Sequence, residues 1–600
     1  MRPTAIIIIL LVAVSAGASA GSLDVRDFGA KGDGATDDTA AFQRAMDDCA
    51  NRGGGIVSVP TGRYLIKTRL SIPPSVTLEG NWRAPATVNE YRDPSDPKGG
   101  PKLSGSVLLA VEGAGNPDGA PFISLGRNST LKGVTIFYPE QTKTNPPIAY
   151  PWTVASTNDN CSIVDVFIVN PYQAVDFGTR VSGRHYIRGL YAQPLRKGLY
   201  VDMCLDVGRI ENIHFWPFWT AADADSPVAK FMLEQGEAFI FGRADWEYVT
   251  NCFCISYKVG MRFIRGHGTG PYEGGGNYLL TQSGADGCDM AVLVDETQGH
   301  SGVSFSNSQI FGDIIVKDTN NGMIRFTGCG LFGTQYEKNG VGLADIAGNG
   351  RVSFDNCHFY VIHRDLKKAK NMIRVRSGRV SITDSLFVNY WDAPYSRNPI
   401  VLEPDVKAAI ITNNEFYGPA NITNKALGRT VISGNITETD TKPYPLWKKP
   451  DRPKEEPGAI VVDDADGPPG VIFVGEWTLV ENTYGLNIGY HRGTRWAWKG
   501  DGKAQAIFRP LVPKPGSYIV YAYFGFDPAS DHATNAPVEI RSADGTQKTT
   551  VNLRSTKGEW VRLGTYRFQA GRKGCIILSN NADGNVLADA VKLIPARNAN

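Results

Sequence analysis

The chain has 600 residues, and its 62 Lys and Arg nearly balance its 60 Asp and Glu, so the formal net charge is only +2. A charge this small provides no general attraction to nucleic acid or to an anionic membrane, and a charged substrate must be bound by local side chains. The 66 Gly and 36 Pro favour many short strands divided by turns. The length exceeds that of one compact core, which leaves two domains or an elongated repeat fold.

Residues 1–20 have the layout of a secretory signal peptide. Arg2 precedes the apolar run from Ala5 to Val14, and small residues follow up to Ala20. The apolar run is too short to favour a membrane-spanning helix. We therefore expect cleavage near Ala20 and a secreted protein, extracellular or periplasmic, without membrane insertion.

The next segment, "DFGAKGDGATDD", is acidic and rich in glycine, but it has neither the ligand spacing of an EF-hand nor the Gly-Lys-Ser/Thr of a phosphate-binding loop. It leads into a predicted amphipathic helix, for which Thr36 and Asp37 are N-cap types. The residues at helical spacing that form its apolar face are Ala41, Phe42, Ala45, Met46 and Cys49. Residues 53–66 then have the pattern of a strand, a turn and a second strand.

A degenerate internal repeat follows, in which short apolar runs flank a central Gly, Asn or Asp. These three residue types tolerate the left-handed backbone of a tight corner. Repeats of this kind stack as the coils of a solenoid, because each coil buries against its neighbours an apolar side that it could not bury alone. The predicted corner residues are Gly133, Asp165, Gly189, Asn212, Asn251, Asn307, Gly328, Asn356, Asp384, Asn414 and Asn435. The pattern predicts an all-β fold, a right-handed parallel β-helix that occupies residues 21–440.

Two intervals of the repeat are longer than the others, from 212 to 251 and from 251 to 307, and we interpret both as insertions beside a site. Aromatic rings suit the apolar faces of sugars. The first interval therefore provides three candidate sugar-binding residues, Trp216, Trp219 and Trp246.

The segment "LDVRDFGAKGDGATDDTAAFQRAMDDCANRGGGIVSVPTGRYLI" resembles the N-terminal signature of pectate-lyase-superfamily proteins of the rhamnogalacturonase- and epimerase-like group, which includes some phage tailspikes. The resemblance implies a β-helix whose N-terminal end is closed by the predicted helix. It also implies a polysaccharide as substrate or ligand, because members cleave, epimerise or bind polysaccharides. A homotrimer is a further possibility from the resemblance; the sequence itself does not decide between monomer and trimer.

Candidate catalytic residues cluster where stacked coils would bring them together. Asp202, Asp206 and Asp245 are candidate catalytic carboxylates, and Arg265 and His267 are a candidate cation and base. Neighbouring coils lie about 4.8 Å apart, so Asp206 and Asp245 would be close enough to raise one pKa and leave an acid beside a base. The remaining candidates for substrate binding are Arg243, Asp176 and Asp295.

Three functions fit these residues. A glycoside hydrolase would use a pair of carboxyl groups, here Asp206 and Asp245. A polysaccharide lyase would use a base beside a uronate carboxylate, with Arg243, Arg265 and His267 as candidates, and with Ca²⁺ held by Asp202 and Asp206. A non-catalytic, tailspike-like adhesin would only bind glycan. "GHG" around His267 is similar to a polygalacturonase motif, but the other parts of that pattern are missing. The hydrolase is the leading interpretation, no cofactor is required, and no separate metal site is predicted.

The composition changes after residue 440. Residues 441–458 are rich in Pro and charge, which is typical of a semi-rigid linker. Residues 459–600 have strand runs divided by turns, which predicts a β-sandwich. The stretches "HATNAPVEI", "GEWVRLGTYRFQAG" and "VLADAVKLI" resemble the golvesin C-terminal-like, or xanthan-lyase-like, domain. The resemblance implies an accessory module with Tyr484, Tyr490, Trp496 and Trp498 as candidate glycan contacts.

Overall fold

The chain divides into two compact units, residues 1–444 and 445–600, in a computed structural model. The predicted signal peptide and most of the predicted linker lie outside the residues that the structure describes. In the described residues, no helix combines the length and apolar character needed to cross a membrane. The described residues are 22–86, 103–220, 226–333, 342–361, 372–389, 399–417, 421–438, 453–481, 489–491, 493–525, 532–556 and 558–596.

The first unit is a solenoid of parallel strands with three faces, in which each strand pairs with its equivalents in the coils before and after it. The first face comprises Leu23–Asp24, Gly55–Ser58, Val76–Glu79, Thr130–Lys132, Ser162–Ile168, Tyr186–Ala192, Cys204–Glu211, Ala244–Thr250, Tyr278–Thr281, Val303–Ser306, Met323–Thr327, Arg351–Asp355, Ile373–Thr383, Ile400–Thr412 and Arg429–Ser433. The second face comprises Asp33–Asp37, Gly62–Ile66, Ser106–Ala110, Thr135–Phe137, His214–Phe215, Phe253–Ile255, Gly284–Asp286, Gln309–Phe311, Gly330–Gly333, His358–Val361, Leu386–Asn389, Glu415–Tyr417 and Ile436–Glu438, together with the ends of 162–168 and 186–192. The third face comprises Leu70–Ile72, Ile123–Leu125, Trp152–Ser156, Gln173–Phe177, Lys197–Val201, Glu237–Phe241, Val259–Phe263, Met290–Val294, Asp313–Val316, Ala344–Ile346 and Ile422–Asn424, together with the starts of 373–383 and 400–412.

The corner between the first and second faces is a column of residues with positive φ. Nine of the predicted corners have this conformation, from Gly133 through Asp384. The last two corners are shifted by one residue, because the positive φ lies at Asn413 and Gly434, where Asn414 and Asn435 were predicted. Asn414 instead uses its amide in the interior, where it donates to the carbonyl of Ile382 at 2.9 Å.

One corner was missed in the sequence. Gln282 has φ 50° and divides Tyr278–Thr281 from Gly284–Asp286, so the interval from 251 to 307 contains a complete coil. The interpretation of that whole interval as an insertion is therefore wrong. Its irregular part is a small hairpin of Gly266–His267 and Glu273–Gly274 around the short 3₁₀ turn Gly270–Tyr272. The earlier interval contains a helix, Pro227–Gln235.

The predicted capping helix is present as Thr39–Asn51, and its predicted apolar face is buried. The glycine-rich segment before it is fixed by Asp38, whose carboxylate accepts hydrogen bonds from the backbone N–H of Lys31 at 2.7 Å and of Gly32 at 3.1 Å. A short 3₁₀ helix, Val25–Phe28, precedes it. The "DFGAKGDG" stretch therefore builds the end of the solenoid.

Buried aliphatic and aromatic side chains fill the solenoid, including a stack of Phe305, Phe326 and Phe354. All nine cysteines of the chain are described, and none forms a disulfide. Eight of the nine thiols are buried, and Cys575 is half-buried. Thiols placed inside coils therefore act as small apolar groups in this protein.

The second unit consists of antiparallel sheets around a separate apolar core. One sheet has the order Ile460–Asp463, Ala590–Pro595, Gly516–Tyr523 and Val561–Phe568; another has the order Val471–Val474, Gln505–Phe508, Cys575–Ser579, Ala536–Ser542 and Gly545–Val551; a third has the order Thr478–Glu481, Gly493–Ala497 and Val586–Ala588. Two 3₁₀ turns, Asp464–Asp466 and Leu553–Ser555, complete it. The predicted fold class, a parallel β-helix followed by a β-sandwich, is confirmed.

Candidate functional site

Asp202 is the centre of a hydrogen-bonded cluster at the carboxyl ends of the third-face strands. It follows Lys197–Val201 and is completely buried. Its Oδ1 accepts from the backbone N–H of Met203 and of Arg243, both at 2.7 Å. Its Oδ2 accepts from the Tyr200 hydroxyl at 3.0 Å, the His267 backbone N–H at 3.0 Å and the His267 Nδ1 at 2.6 Å. Because the backbone donors cannot reverse, Asp202 acts as a carboxylate acceptor that holds three segments together.

Two glycines make this approach possible. A Cβ at Gly242 would lie 2.5 Å from the Asp202 Cγ, and one at Gly266 would lie 2.6 Å from its Oδ1 and 2.6 Å from the Arg243 Cβ. Real Cβ atoms do not approach other atoms this closely, so both positions require the missing side chain. The "GHG" motif therefore has a structural reason for its first glycine, which is to bring His267 against Asp202.

His267 is held by one nitrogen and presents the other. The Nδ1–H donates to Asp202, which selects the tautomer whose Nε2 carries the lone pair. The side chain is half-exposed, at 50%. This is the arrangement in which a carboxylate orients an imidazole and stabilises it after it takes a proton.

Tyr200 is the second polar group of the cluster. Its hydroxyl oxygen lies 2.9 Å from the His267 Nδ1, and its ring stacks on Trp152 at 6.4 Å between centroids. Burial, and then the negative charge of Asp202, raise the pKa of Tyr200 far above its usual value of 10. The phenol therefore remains protonated, and it donates a hydrogen bond to Asp202.

Three predicted arginine or aspartate positions lie around this cluster in ion pairs. Arg243 pairs through Nη2 with Asp245, while its buried Nη1 has no hydrogen-bond partner among the described residues. Arg265 is exposed and pairs with Glu273 at 2.5 Å and Glu296 at 3.0 Å. Arg243 thus contacts Asp202 through its backbone N–H, while its guanidinium is held by the ion pair with Asp245.

Asp206 and Asp245 lie on neighbouring coils, as predicted, since the strands Cys204–Glu211 and Ala244–Thr250 pair in parallel. Each faces its own guanidinium, however: Asp206 lies 3.3 Å from the Arg184 Nη1, and Asp245 pairs with Arg243. Both side chains are about half exposed. Each carboxylate is therefore engaged by an arginine of its own, and no contact between the two carboxyl groups accompanies the strand pairing among the described residues.

The structure gives the other predicted binding carboxylates local partners. Asp176 is buried, and its Oδ1 accepts from the backbone N–H of Gly178 at 2.9 Å and of Thr179 at 2.8 Å. Asp295 accepts from the Arg262 Nε at 2.9 Å and pairs with Lys317. Their oxygens fix a turn and an ion-pair row, and the role of these two aspartates in substrate binding stays a prediction.

The three tryptophans predicted as sugar platforms have different environments. Trp219 is only 7% exposed and belongs to the solenoid core, and its role as a sugar platform stays a prediction that this burial disfavours. Trp216 packs partly buried against the same core, 5.3 Å from the ring of Phe218. Trp246 is 47% exposed and is the one of the three that presents a large apolar surface. Trp152, which the sequence reading did not select, stacks directly on Tyr200.

A Ca²⁺ ion at Asp202 and Asp206 does not fit these contacts. The two oxygens of Asp202 already accept five hydrogen bonds, and Asp206 is engaged by Arg184 and by its own neighbour, the Val207 N–H at 2.9 Å. A calcium ion requires several oxygens with free lone pairs. We derive no step through calcium at this place.

A buried ion pair lies beneath the cluster. His185 and Glu247 are both fully buried; the Nε2 of His185 lies 2.9 Å from the Glu247 Oε1, and its Nδ1 donates to the Ser182 carbonyl at 2.7 Å. Burial is the largest single influence and lowers the pKa of His185, but the charge of Glu247 together with the interactions of Cys204 raises it, so that this pKa lies well above 6.5. The Cys204 sulfur lies within 4.8 Å of the ligand atoms of His185 and Glu247. Its thiol donates a weak hydrogen bond to the Asp206 carbonyl at 3.6 Å. The sequence reading missed this pair because its members are 62 residues apart.

Comparisons with known proteins match the two units to two families. Residues 22–163 match the model of the rhamnogalacturonase A/epimerase, pectate lyase-like family, and residues 460–595 match the golvesin C-terminal domain. Both family resemblances are confirmed. Each model covers less than half of the chain, so the assignment is of these segments.

Individual relatives are similar over short parts. A xanthan lyase of Bacillus sp. (strain GL1) is 35% identical over 23% of this chain and 14% of its own length. Alginate lyase 7 of Azotobacter vinelandii is 56% identical over 7% of this chain and 5% of its own length. Among solved structures, the A-module of the Azotobacter vinelandii mannuronan C-5 epimerase AlgE4 is 13% identical over 69% of this chain and 100% of that chain, with a TM-score of 0.42. The chain thus spans only a small part of the curated relatives' length.

Proposed function

We propose that this protein is a secreted enzyme that acts on an acidic polysaccharide as a lyase, by removing the proton beside the carboxylate of a uronate residue. The observation that carries the proposal is the contact of Tyr200, Asp202 and His267, which joins an oriented imidazole to a protonated phenol. The matched relatives support it, since they include proteins named as lyases of xanthan and alginate.

The proposed reaction uses each group for one task. The His267 Nε2 takes the proton from the carbon beside the uronate carboxylate, and Asp202 stabilises the resulting imidazolium. Electrons move to form the carbon–carbon double bond as the bond to the glycosidic oxygen breaks. Tyr200 donates a proton to that oxygen as its bond to carbon breaks.

The hydrolase alternative rests on Asp206 and Asp245. Hydrolysis requires one carboxyl group that keeps its proton at working pH. Each of these carboxylates is instead held in an ion pair with its own arginine, so the geometry supports hydrolysis less than elimination.

The test is to incubate the purified protein with pectic, algal and bacterial polysaccharides in D₂O. Ultraviolet absorbance of unsaturated uronate, reducing ends and deuterium on the sugar carbons are followed together. Elimination produces one unsaturated uronate for each new reducing end, so the absorbance and the number of reducing ends rise together. Reducing ends without absorbance would establish hydrolysis; deuterium uptake without chain cleavage would establish epimerisation; retention of glycan without chemical change would establish an adhesin.

The residue assignment is tested with His267→Gln and Asp202→Asn. We expect each to lower kcat by about 10²–10⁴-fold, the usual contribution of a positioned acid or base. His214→Gln is the matched control, because His214 lies on the second face against Phe253. Equal losses in the control and in His267→Gln would contradict the assignment.

A further inference from the structure

Three buried aspartates meet at one edge of the C-terminal sandwich. Asp463 ends the strand Ile460–Asp463, Asp464 begins the next 3₁₀ turn, and Asp589 lies just before Ala590–Pro595. Their exposures are 0%, 3% and 1%, and one oxygen from each lies within 4.8 Å of the others.

The backbone brings these residues together. The first strand of the unit pairs antiparallel with the last one, and Asp463 is the register partner of Ala590. The Asp464 N–H donates to the Asp589 carbonyl at 2.7 Å. The three carboxylates therefore lie where the beginning and the end of the sandwich are joined.

Two cationic side chains of the described residues approach the three carboxylates. The Arg495 Nε lies 3.5 Å from the Asp464 Oδ2, and the His491 Nδ1 lies 3.7 Å from the Asp463 Oδ1. The Asp589 oxygens accept from one backbone N–H, that of Tyr490, at 3.1 and 3.3 Å. Neither oxygen of Asp464 accepts a hydrogen bond from any described residue, although the side chain is almost completely buried.

Buried carboxylates without donors are costly unless they are neutralised. Burial, and then the charge of Asp463, raise the pKa of Asp464 to about 7. Burial, and then the charge of Asp464, raise the pKa of Asp589 well above its usual value. Three buried carboxylates with oxygens within 4.8 Å of one another repel, and a divalent cation between them would neutralise two charges at once.

We propose that Asp463, Asp464 and Asp589 form a Ca²⁺ site that ties the first strand of the sandwich to the last. The oxygen donors are hard ligands, of the type that calcium prefers over zinc or copper. Three carboxylates provide up to six oxygens, within the range of calcium coordination. The bound ion would coordinate the Asp464 oxygens, which accept no hydrogen bond from the described residues, and its role is structural.

The test uses the full-length protein after treatment with a chelator. Calorimetric titration with CaCl₂ should give one site per chain, and Tb³⁺ should give sensitised luminescence from nearby aromatic residues such as Tyr490. Ca²⁺ should raise the unfolding temperature of the sandwich by several degrees, and Mg²⁺ should do so less. Absence of binding and of any shift at millimolar Ca²⁺ would overturn the proposal.

Variants locate the site. Asp464→Asn and Asp589→Asn should each lower Ca²⁺ affinity by at least tenfold, whereas Asp501→Asn, an exposed carboxylate of the same unit, should not change it. Asp202→Asn, in the solenoid, should also leave this binding unchanged. Without Ca²⁺, Asp464→Asn should unfold at the same temperature as the parent protein or higher, because a buried charge is removed. Unchanged Ca²⁺ binding in both variants, or a lower unfolding temperature of Asp464→Asn in chelator, would contradict the proposal.

Discussion

Replacing Glu247 with Gln removes the charge that keeps His185 protonated inside the solenoid. The amide has the same shape as the carboxyl group, and space at this place is limited, since a Cβ on Gly208 would lie 2.3 Å from both Glu247 carboxylate oxygens. The change therefore tests charge with little change in packing. Breaking a buried ion pair by removing one partner costs about 3–5 kcal/mol, so we expect a loss of this size in the free energy of unfolding of the solenoid.

The pH dependence gives a second measurement. The pKa of His185 in the folded protein is held well above 6.5 by Glu247, so the folded state binds a proton more tightly than the unfolded state. This stabilisation is complete below pH 6.5 and is lost as the pH rises through the folded-state pKa. The parent protein should therefore become less stable as the pH rises from 6.5 to the folded-state pKa of His185. Glu247→Gln should lack this part of the dependence of stability on pH.

Denaturant unfolding, followed by circular dichroism below and well above pH 6.5, measures both effects. The solenoid and the sandwich are separate units, so their transitions are fitted separately. Glu211→Gln is the matched control, because Glu211 lies on the paired first-face strand and accepts from the Tyr186 hydroxyl at 3.0 Å, where we expect a loss of about 1 kcal/mol. A Glu247→Gln protein with the parent's pH slope, or with no greater loss than Glu211→Gln, would refute the reasoning.

Two further predictions concern the backbone. Gly266→Ala should lower kcat more than tenfold with the fold retained, because the new Cβ displaces His267 from Asp202 and small misplacements of a reacting group are costly. The control is Gly299→Ala, where a Cβ meets nothing within 4 Å, and it should have the kinetics of the parent protein. Equal activity of the two variants would contradict the prediction. Asn356→Gly should leave the unfolding midpoint of the solenoid nearly unchanged, while Asn356→Val should lower the stability by about 1–2 kcal/mol or more because φ is 50° there, and equal midpoints would refute the corner argument.

The repeat in the sequence was sufficient to predict the solenoid because its corners demand particular backbone angles. Gly133, Asn212 and Asn356 are types that adopt positive φ at low cost, so the local signal and the fold agree. Gln282 occupies the same conformation without belonging to those types, and its coil was missed. When the surrounding structure enforces a backbone conformation, the residue type at that position does not reveal it.

The site was predicted less completely. Asp202, Arg243 and His267 were selected from the sequence. Their contacts depend on a hairpin that brings His267 against Asp202, which is 65 residues earlier in the sequence. Tyr200 was overlooked because a tyrosine on a strand has the same pattern whether its hydroxyl contacts a carboxylate or solvent. Trp219 lies in the core although it was selected from an aromatic-rich interval, because aromatic density does not tell which ring faces the core.

The nine cysteines, none of which forms a disulfide, can serve as built-in reporters of local unfolding. They are distributed from Cys49 in the capping helix through Cys357 in a late coil to Cys575 in the sandwich, and all but the last are buried. A maleimide reagent reaches a buried thiol only after the coil around it has separated, so the order in which the sites are alkylated reports where the structure opens first. Peptide mapping of partially labelled protein would thus give a residue-by-residue record of opening along the solenoid, without any engineered label.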